Sequence, residues 1–316
     1  MEILSLIVIV FGLCLFEVIS SVDNAIVNAD VLSTMSKKAR KWFLLWGLFF
    51  AVFVIRGLLP WIIVWMANPS LGIMSSLTAS FSNSPQIQAA VEASSPILLI
   101  GGGVFLIFLF FYWLFLEDKH FGLPGESFFL RQGVWFFAVV SVLLAVIVWF
   151  ALKMNPLMAF GAVVGSTAFF IVHGFRQNAE KAEKQLTHKN NLSDIGKNLY
   201  LLVIDATFSI DGVVGAFAFT LAVPLIILGN GIGAWVVREL TIRNVHSIKK
   251  YIYLKNGAMY SILFLGIIMI IDSFGFDIPY WISPVITLGA VGYFFWKSHL
   301  NLKKVEKLFD EENDED

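Results

Sequence analysis

Glu17-Val18-Ile19-Ser20-Ser21-Val22-Asp23-Asn24 lies inside a long apolar run, and its pattern returns in the second half of the chain as Asp205-Ala206-Thr207-Phe208-Ser209-Ile210-Asp211-Gly212, again among apolar residues. A carboxylate inside hydrocarbon is costly, so it is kept mainly where it faces a partner or a watery path. Four such carboxylates in two related copies point to a transport site.

Composition agrees that lipid is the solvent. The chain is 58% hydrophobic and 14% charged, with 31 Phe and 10 Trp in 316 residues, a make-up foreign to soluble domains. Basic residues are spread over short loops, which argues against nucleic acid as a partner. The single Cys14 excludes an intramolecular disulfide.

Apolar runs of membrane-crossing length predict an all-α, polytopic transmembrane bundle of about nine spans, at 3–29, 42–66, 96–116, 132–151, 157–174, 197–221, 224–241, 253–272 and 279–297. The first is expected to stay in the mature protein, because Met1-Glu2 offers no basic n-region and no small-residue cleavage site follows. Lys37, Lys38, Arg40 and Lys41 follow the first span; Lys119 and Arg131, then Arg176, Lys181, Lys184 and Lys189, then Arg243, Lys249 and Lys250 mark alternate loops, while the intervening loops are nearly bare. The positive-inside rule puts the N-terminus outside and the C-terminus in the cytoplasm of a plasma (inner) membrane protein. Residues 1–175 form a first membrane repeat region, 176–300 a second, and 301–316 an acidic cytoplasmic tail.

In this topology the two motif copies run in opposite directions, as an inverted repeat. Gly47 and Arg56 in the second span match Gly229 and Arg238 in the seventh, each pair nine residues apart. At about 100° per residue, Glu17, Ser21, Asn24 and Asn28 share one stripe, as do Asp205, Ser209 and Gly212, with Asp23 and Asp211 off it. Ser-x-Asp-Asn and Ser-x-Asp-Gly compete with the helix ladder and cap new half-helices, so breaks are expected near 21–24 and 209–212, the device inverted-repeat transporters use. Carboxylates, Ser and Asn oxygens and freed carbonyls form a hard shell suited to Mg²⁺, Ca²⁺ or Mn²⁺. The candidate ligands are Glu17, Asp23, Asn24, Asp205, Asp211, Ser21 and Ser209, with Arg56 and Arg238 balancing charge. Exchange of protons for metal on these carboxylates makes an antiporter the coupling hypothesis.

The stretch Phe16 to Ala29, the following Phe43-Leu44-Leu45-Trp46-Gly47 to Arg56, and Asp205 through Gly215 resemble the TerC/Alx family of bacterial integral membrane proteins, in particular its DUF475-like branch. The resemblance implies manganese homeostasis: an Mn²⁺ exporter, with related members tied to metal supply for exported enzymes or named for tellurite resistance. It also implies that the paired acidic motifs are the ion site. Gly212 departs from the duplicated pattern, since the first copy has Asn24 there.

Other readings compete. Ser21, Ser209 and Asn28 serve equally as interhelical glue, and Arg238 as a snorkelling end residue. Gly101-Gly102-Gly103 reads as close helix packing or a flexible helix start. An intramembrane aspartyl protease would need only two aspartates sharing a proton, fewer than the repeat supplies, so the chain is not expected to be an enzyme and needs no prosthetic group. A membrane accessory handing metal to exported metalloenzymes would need the same oxygen site as an exporter. The sequence leaves the oligomeric state open.

Overall fold

Apolar runs with so few interior breaks fold as helices, and helix is the only regular structure among the described residues. The computed structural model of the chain describes residues 3–21, 31–32, 35–47, 49–50, 56–67, 72–78, 85–188 and 193–314. In chain order the helices are α1 (Ile3–Ser20), α2 (Lys37–Trp42) running into a π-helical turn (Phe43–Gly47), α3 (Arg56–Ala67), α4 (Ile73–Thr78), α5 (Pro85–Leu116) and α6 (Glu126–Arg131). A 3₁₀ turn (Gly133–Trp135) then leads into α7 (Phe136–Met154), followed by α8 (Pro156–His188), α9 (Asp194–Ala216), α10 (Val223–Lys249), α11 (Leu254–Ser273) and α12 (Ile282–Asp314).

Helix starts follow local chemistry. Asn155 precedes Pro156 and its Oδ1 accepts the Leu157 N–H at 2.9 Å, pairing an Asn cap with a proline at the first helical position. Ser193 accepts the Gly196 N–H at 3.2 Å, and Ser36 accepts that of Ala39 at 3.3 Å. Ser36 also donates its hydroxyl to Asp194, which ties the start of α2 to the start of α9.

Several apolar helices make this a membrane protein. Among the described residues, Ile3–Ser20, Glu92–Leu116, Gly133–Met154, Pro156–Phe175 and Leu254–Ser273 are long and apolar enough to cross a bilayer, and Gly57–Met66 and Val223–Val237 are shorter apolar helices. The expected spans at 197–221 and 279–297 are helical as far as residue 216 and from residue 282, yet α9 carries Asp194, Lys197, Asn198, Asp205 and Asp211, and α12 has a polar second half. The expected span at 42–66 contains positions 48 and 51–55, outside the described residues. The expected span at 96–116 lies within α5, whose membrane-crossing length runs from Glu92 to Leu116 and whose helix starts earlier, at Pro85, with Pro96 inside it.

Two-thirds of the 18-residue apolar stretch within Glu92–Leu116 is buried against 22% of that within Gly133–Met154, so α5 is central and α7 peripheral. The outer face of α7 shows Phe137, Val142, Val146, Trp149 and Phe150 to the surroundings, the surface expected of a helix against acyl chains. α5 packs on α8 and α11, α1 packs on α10 and α12, and α9 touches α1, α3, α5 and α8. The Gly101–Gly103 expectation of close packing holds. A Cβ on Gly101 would stand 2.8 Å from the Gly161 carbonyl oxygen, one on Gly165 would overlap the Gly101 carbonyl, and one on Gly103 would stand 2.8 Å from that of Gly266. Backbone thus meets backbone on two sides of α5, the small-residue packing that substitutes for a hydrophobic driving force in lipid.

Candidate functional site

α1 is apolar for four turns and then presents Glu17, which has no exposed surface. Ser21 Oγ donates to Glu17 Oε1 at 2.6 Å, and Ser20 Oγ and Ser21 N donate to the Glu17 carbonyl at 3.3 and 3.1 Å. Glycines from two other helices crowd the same side chain. A Cβ on Gly212 of α9 would stand 3.0 Å from Glu17 Oε2, and one on Gly233 of α10 would stand 2.6 Å from Glu17 Cβ and 2.8 Å from the Cys14 carbonyl oxygen.

Neighbouring contacts fix the directions. Gly229 faces Leu13 and Gly233 faces Glu17, so α10 runs parallel to α1; Phe219 faces Gly12, Gly215 faces Phe16 and Gly212 faces Glu17, so α9 runs antiparallel. The two motif copies therefore meet in opposite directions, with the carboxylate of the first against the backbone of the second. Gly212, which stands where the first copy has Asn24, lies close beside the Glu17 carboxylate, so a side chain there would press on Oε2.

The second copy is otherwise arranged differently from the expectation. α9 runs unbroken through Ser209–Gly212, which corrects the expected helix break there. Ser209 is buried, and its hydroxyl donates to the Asp205 carbonyl one turn back at 2.5 Å, so it is satisfied within the ladder instead of competing with it. Asp205 is buried and Asp211 half-buried. At about 1.5 Å rise per residue, Asp205 lies about 10 Å along α9 from Gly212, so Glu17 and Asp205 occupy different depths. Among the described residues no three His, Cys, Asp or Glu side chains converge. Asp23 and Asn24 lie outside the described residues; so do the side chains of Arg56, which opens α3, and Arg238, within α10.

The helices that meet at Glu17 also share a neighbour: α1 touches α9 and α10, and α3 touches both α9 and α10. A family model described as "Protein of unknown function (DUF475)" matches residues 22–305. The chain belongs to this family. Neither the curated proteins nor the solved structures give a match.

The DUF475 chain holds two further polar features that the motif pattern does not reveal. The first is Asn230 on α10, with no exposed surface and with neither its Oδ1 nor its Nδ2 hydrogen-bonded. Its signal in the sequence was an amide within the small-residue run Gly229-Asn230-Gly231-Ile232-Gly233. The second is a polar knot at the far end of α5. Glu126, buried at the start of α6, accepts the N–H groups of Gly122 at 2.7 Å and Leu123 at 3.1 Å, Asn256 Nδ2 at 3.1 and 3.3 Å, and the Tyr260 hydroxyl at 3.0 Å. These donors occupy both carboxylate oxygens, so Glu126 anchors the ends of α5, α6 and α11 and has little capacity left for a ligand. Beside it Lys119 donates to the carbonyls of Trp113 at 2.5 Å and Leu114 at 2.7 Å, with its ammonium 4.3 Å from the Trp113 ring. Burial pushes the Lys119 amine down to about 8. Lys255 pairs with Glu117, and Lys297 donates to the Gly122 carbonyl, which adds α12 to the knot.

Proposed function

We propose that this DUF475 chain is a membrane transporter that moves a divalent cation outward, with the N-terminus outside and the C-terminus cytoplasmic, as the distribution of basic loops suggests. Mn²⁺ is the ion favoured by the resemblance to the TerC/Alx family. The observation that carries the reading is Glu17: a carboxylate with no exposed surface in an apolar helix, held by Ser21 and pressed against the backbone of the second motif copy. A carboxylate kept at such a place in an apolar helix is the kind of group that ion and proton pathways use. In this reading Glu17, Asp23, Asp205 and Asp211 bind the ion or carry protons, Ser21, Asn24 and Ser209 add oxygens, and Arg56 and Arg238 balance charge in the empty state.

The stronger helix pairings are consistent with a nine-span inverted repeat. Exchanging α1, α3, α5 and α8 with α9, α10, α11 and α12 turns the α1–α10 contact into α9–α3, α1–α11 into α9–α5, α1–α12 into α9–α8, and α11–α12 into α5–α8. Each of these contacts is present. α7 then stands as an extra element of the first half.

The test is uptake of Mn²⁺, Ca²⁺, Mg²⁺ and Zn²⁺ into proteoliposomes by the natural chain and by Glu17→Gln and Asp211→Asn, with and without a proton gradient. Mn²⁺ movement abolished by either substitution supports the transport site, and dependence on the gradient supports antiport. If the folded, reconstituted chain moves none of the four ions, the exporter reading fails. Binding without movement would favour the accessory that supplies metal to exported enzymes.

A further inference from the structure

We infer that Asn230 is a ligand residue of the Glu17 site, its carboxamide oxygen giving the second half of the molecule the neutral donor that Gly212 lacks. The inference rests on the cation reading above and adds a residue outside both motif copies.

Three observations lead to it. Asn230 is fully buried, and both polar atoms of its carboxamide are unpartnered. Leaving a buried amide unsatisfied is unfavourable, and buried polar groups are almost always paired. Second, its position is set by α10: Ile226, Asn230, Gly233 and Ala234 share the buried arc of that helix, while Leu228, Ile232 and Trp235 face outward. Gly233, the glycine packed on Glu17 Cβ, is one turn away, about 4.5 Å along the axis. Third, the repeat is asymmetric in a complementary way. Aligning Gly229 with Gly47 puts Leu48 opposite Asn230, and aligning Asp205 with Glu17 puts Gly212 opposite Asn24. The amide missing from the motif of the second half is present on the next helix of that half, at a place where the first half is apolar.

The local geometry is in keeping with the transfer. Gly212 has no side-chain oxygen and lies close to the Glu17 carboxylate, where a Cβ would stand 3.0 Å from Oε2, so an oxygen donor on that side comes from another helix. A neutral amide oxygen suits a hard divalent cation that already has a carboxylate. It adds a ligand without adding charge to the interior.

The test uses the full-length chain in detergent, with Mn²⁺ as the probe, and reads direct binding by electron paramagnetic resonance together with the ion-induced rise in unfolding temperature. Asn230→Leu is expected to weaken Mn²⁺ binding at least about tenfold. Its ion-free unfolding temperature should equal or exceed that of the natural chain, because an unsatisfied amide has been replaced by an apolar group. A hydrogen-bonded structural amide would instead lower that temperature on replacement. Asn230→Asp, which keeps the shape, should fold normally and bind Mn²⁺ more tightly as pH rises through the carboxylate range. Unchanged affinity in both variants overturns the role of Asn230 while leaving the cation reading intact, provided Glu17→Gln still abolishes binding. Absence of Mn²⁺ binding by the natural chain overturns both.

Discussion

Gly233→Ala tests the central packing claim directly. The added methyl carbon would stand 2.6 Å from Glu17 Cβ and 2.8 Å from both Glu17 Cγ and the Cys14 carbonyl oxygen. Carbon atoms at rest lie about 3.5–4.0 Å apart, so α10 must withdraw from α1 by about 1 Å. Two of the three obstructing atoms belong to the start of a side chain and one to the backbone, and none is the far end of a flexible chain. Overpacking of this kind costs about 1–3 kcal/mol. Gly289→Ala in α12 is the control, since nothing lies within 4 Å of a Cβ there, and replacing a helical glycine by alanine is favourable by up to about 1 kcal/mol. Equilibrium unfolding of both variants by sodium dodecyl sulfate in mixed micelles measures the difference. Gly233→Ala should unfold at lower denaturant than the natural chain and Gly289→Ala at equal or higher. Equal stability of the two variants would refute the close approach of α1 and α10, and with it the placement of Glu17 against Gly233.

Gly165→Ala should destabilise more than Gly233→Ala, by about 3 kcal/mol or more, because its methyl would overlap the Gly101 backbone rather than a side chain; the same denaturant titration ranks the two. Glu126→Ala should cost at least about 3 kcal/mol by leaving the buried Asn256 amide and the Tyr260 hydroxyl unsatisfied, and limited proteolysis should then cut the 117–125 segment faster than in the natural chain. Lys119, whose amine titrates below its ordinary range in the folded chain, binds a proton less readily there than when unfolded. Its contribution therefore rises with pH across the interval from about 8 to 10.5. Unfolding temperature relative to Lys119→Met should climb over that interval and stay level between pH 6 and 7.5; a flat difference throughout would contradict the burial of this amine.

The motif copies were legible because a carboxylate in an apolar run costs too much to be kept without a role, and Glu17 is indeed fully buried. The opposite directions of the two copies, expected from the placement of Lys and Arg, agree with the antiparallel contacts of α1 and α9. The expected break in α9 failed for a local reason: a serine can return its hydroxyl to the carbonyl one turn back, as Ser209 does to Asp205, and Gly212 continues the helix beside the Glu17 carboxylate. Asn230 was hidden because an amide among glycines reads as packing; only the fold reveals that nothing satisfies it. Glu126 was hidden by a different route. It follows Gly125, whose φ of 98° makes a sharp turn, and so reads as a solvated acid at a helix start, while its side-chain partners Asn256 and Tyr260 lie 130 and 134 residues away.

The glycine contacts along α5 also constrain how this chain can change. A crowded side chain can be relieved by trimming its neighbour, so most core substitutions have a compensating one nearby. Where the Gly101 carbonyl rests on Gly165 and the Gly266 carbonyl on Gly103, both partners are already the smallest residue there is. An enlargement at any of these four positions has no reciprocal reduction to restore the fit. Second-site revertants of such a substitution must therefore arise away from the contact, by stabilising the bundle generally, and a genetic screen that returns nothing at the contact itself but the original glycine is the expected signature of helices joined backbone to backbone.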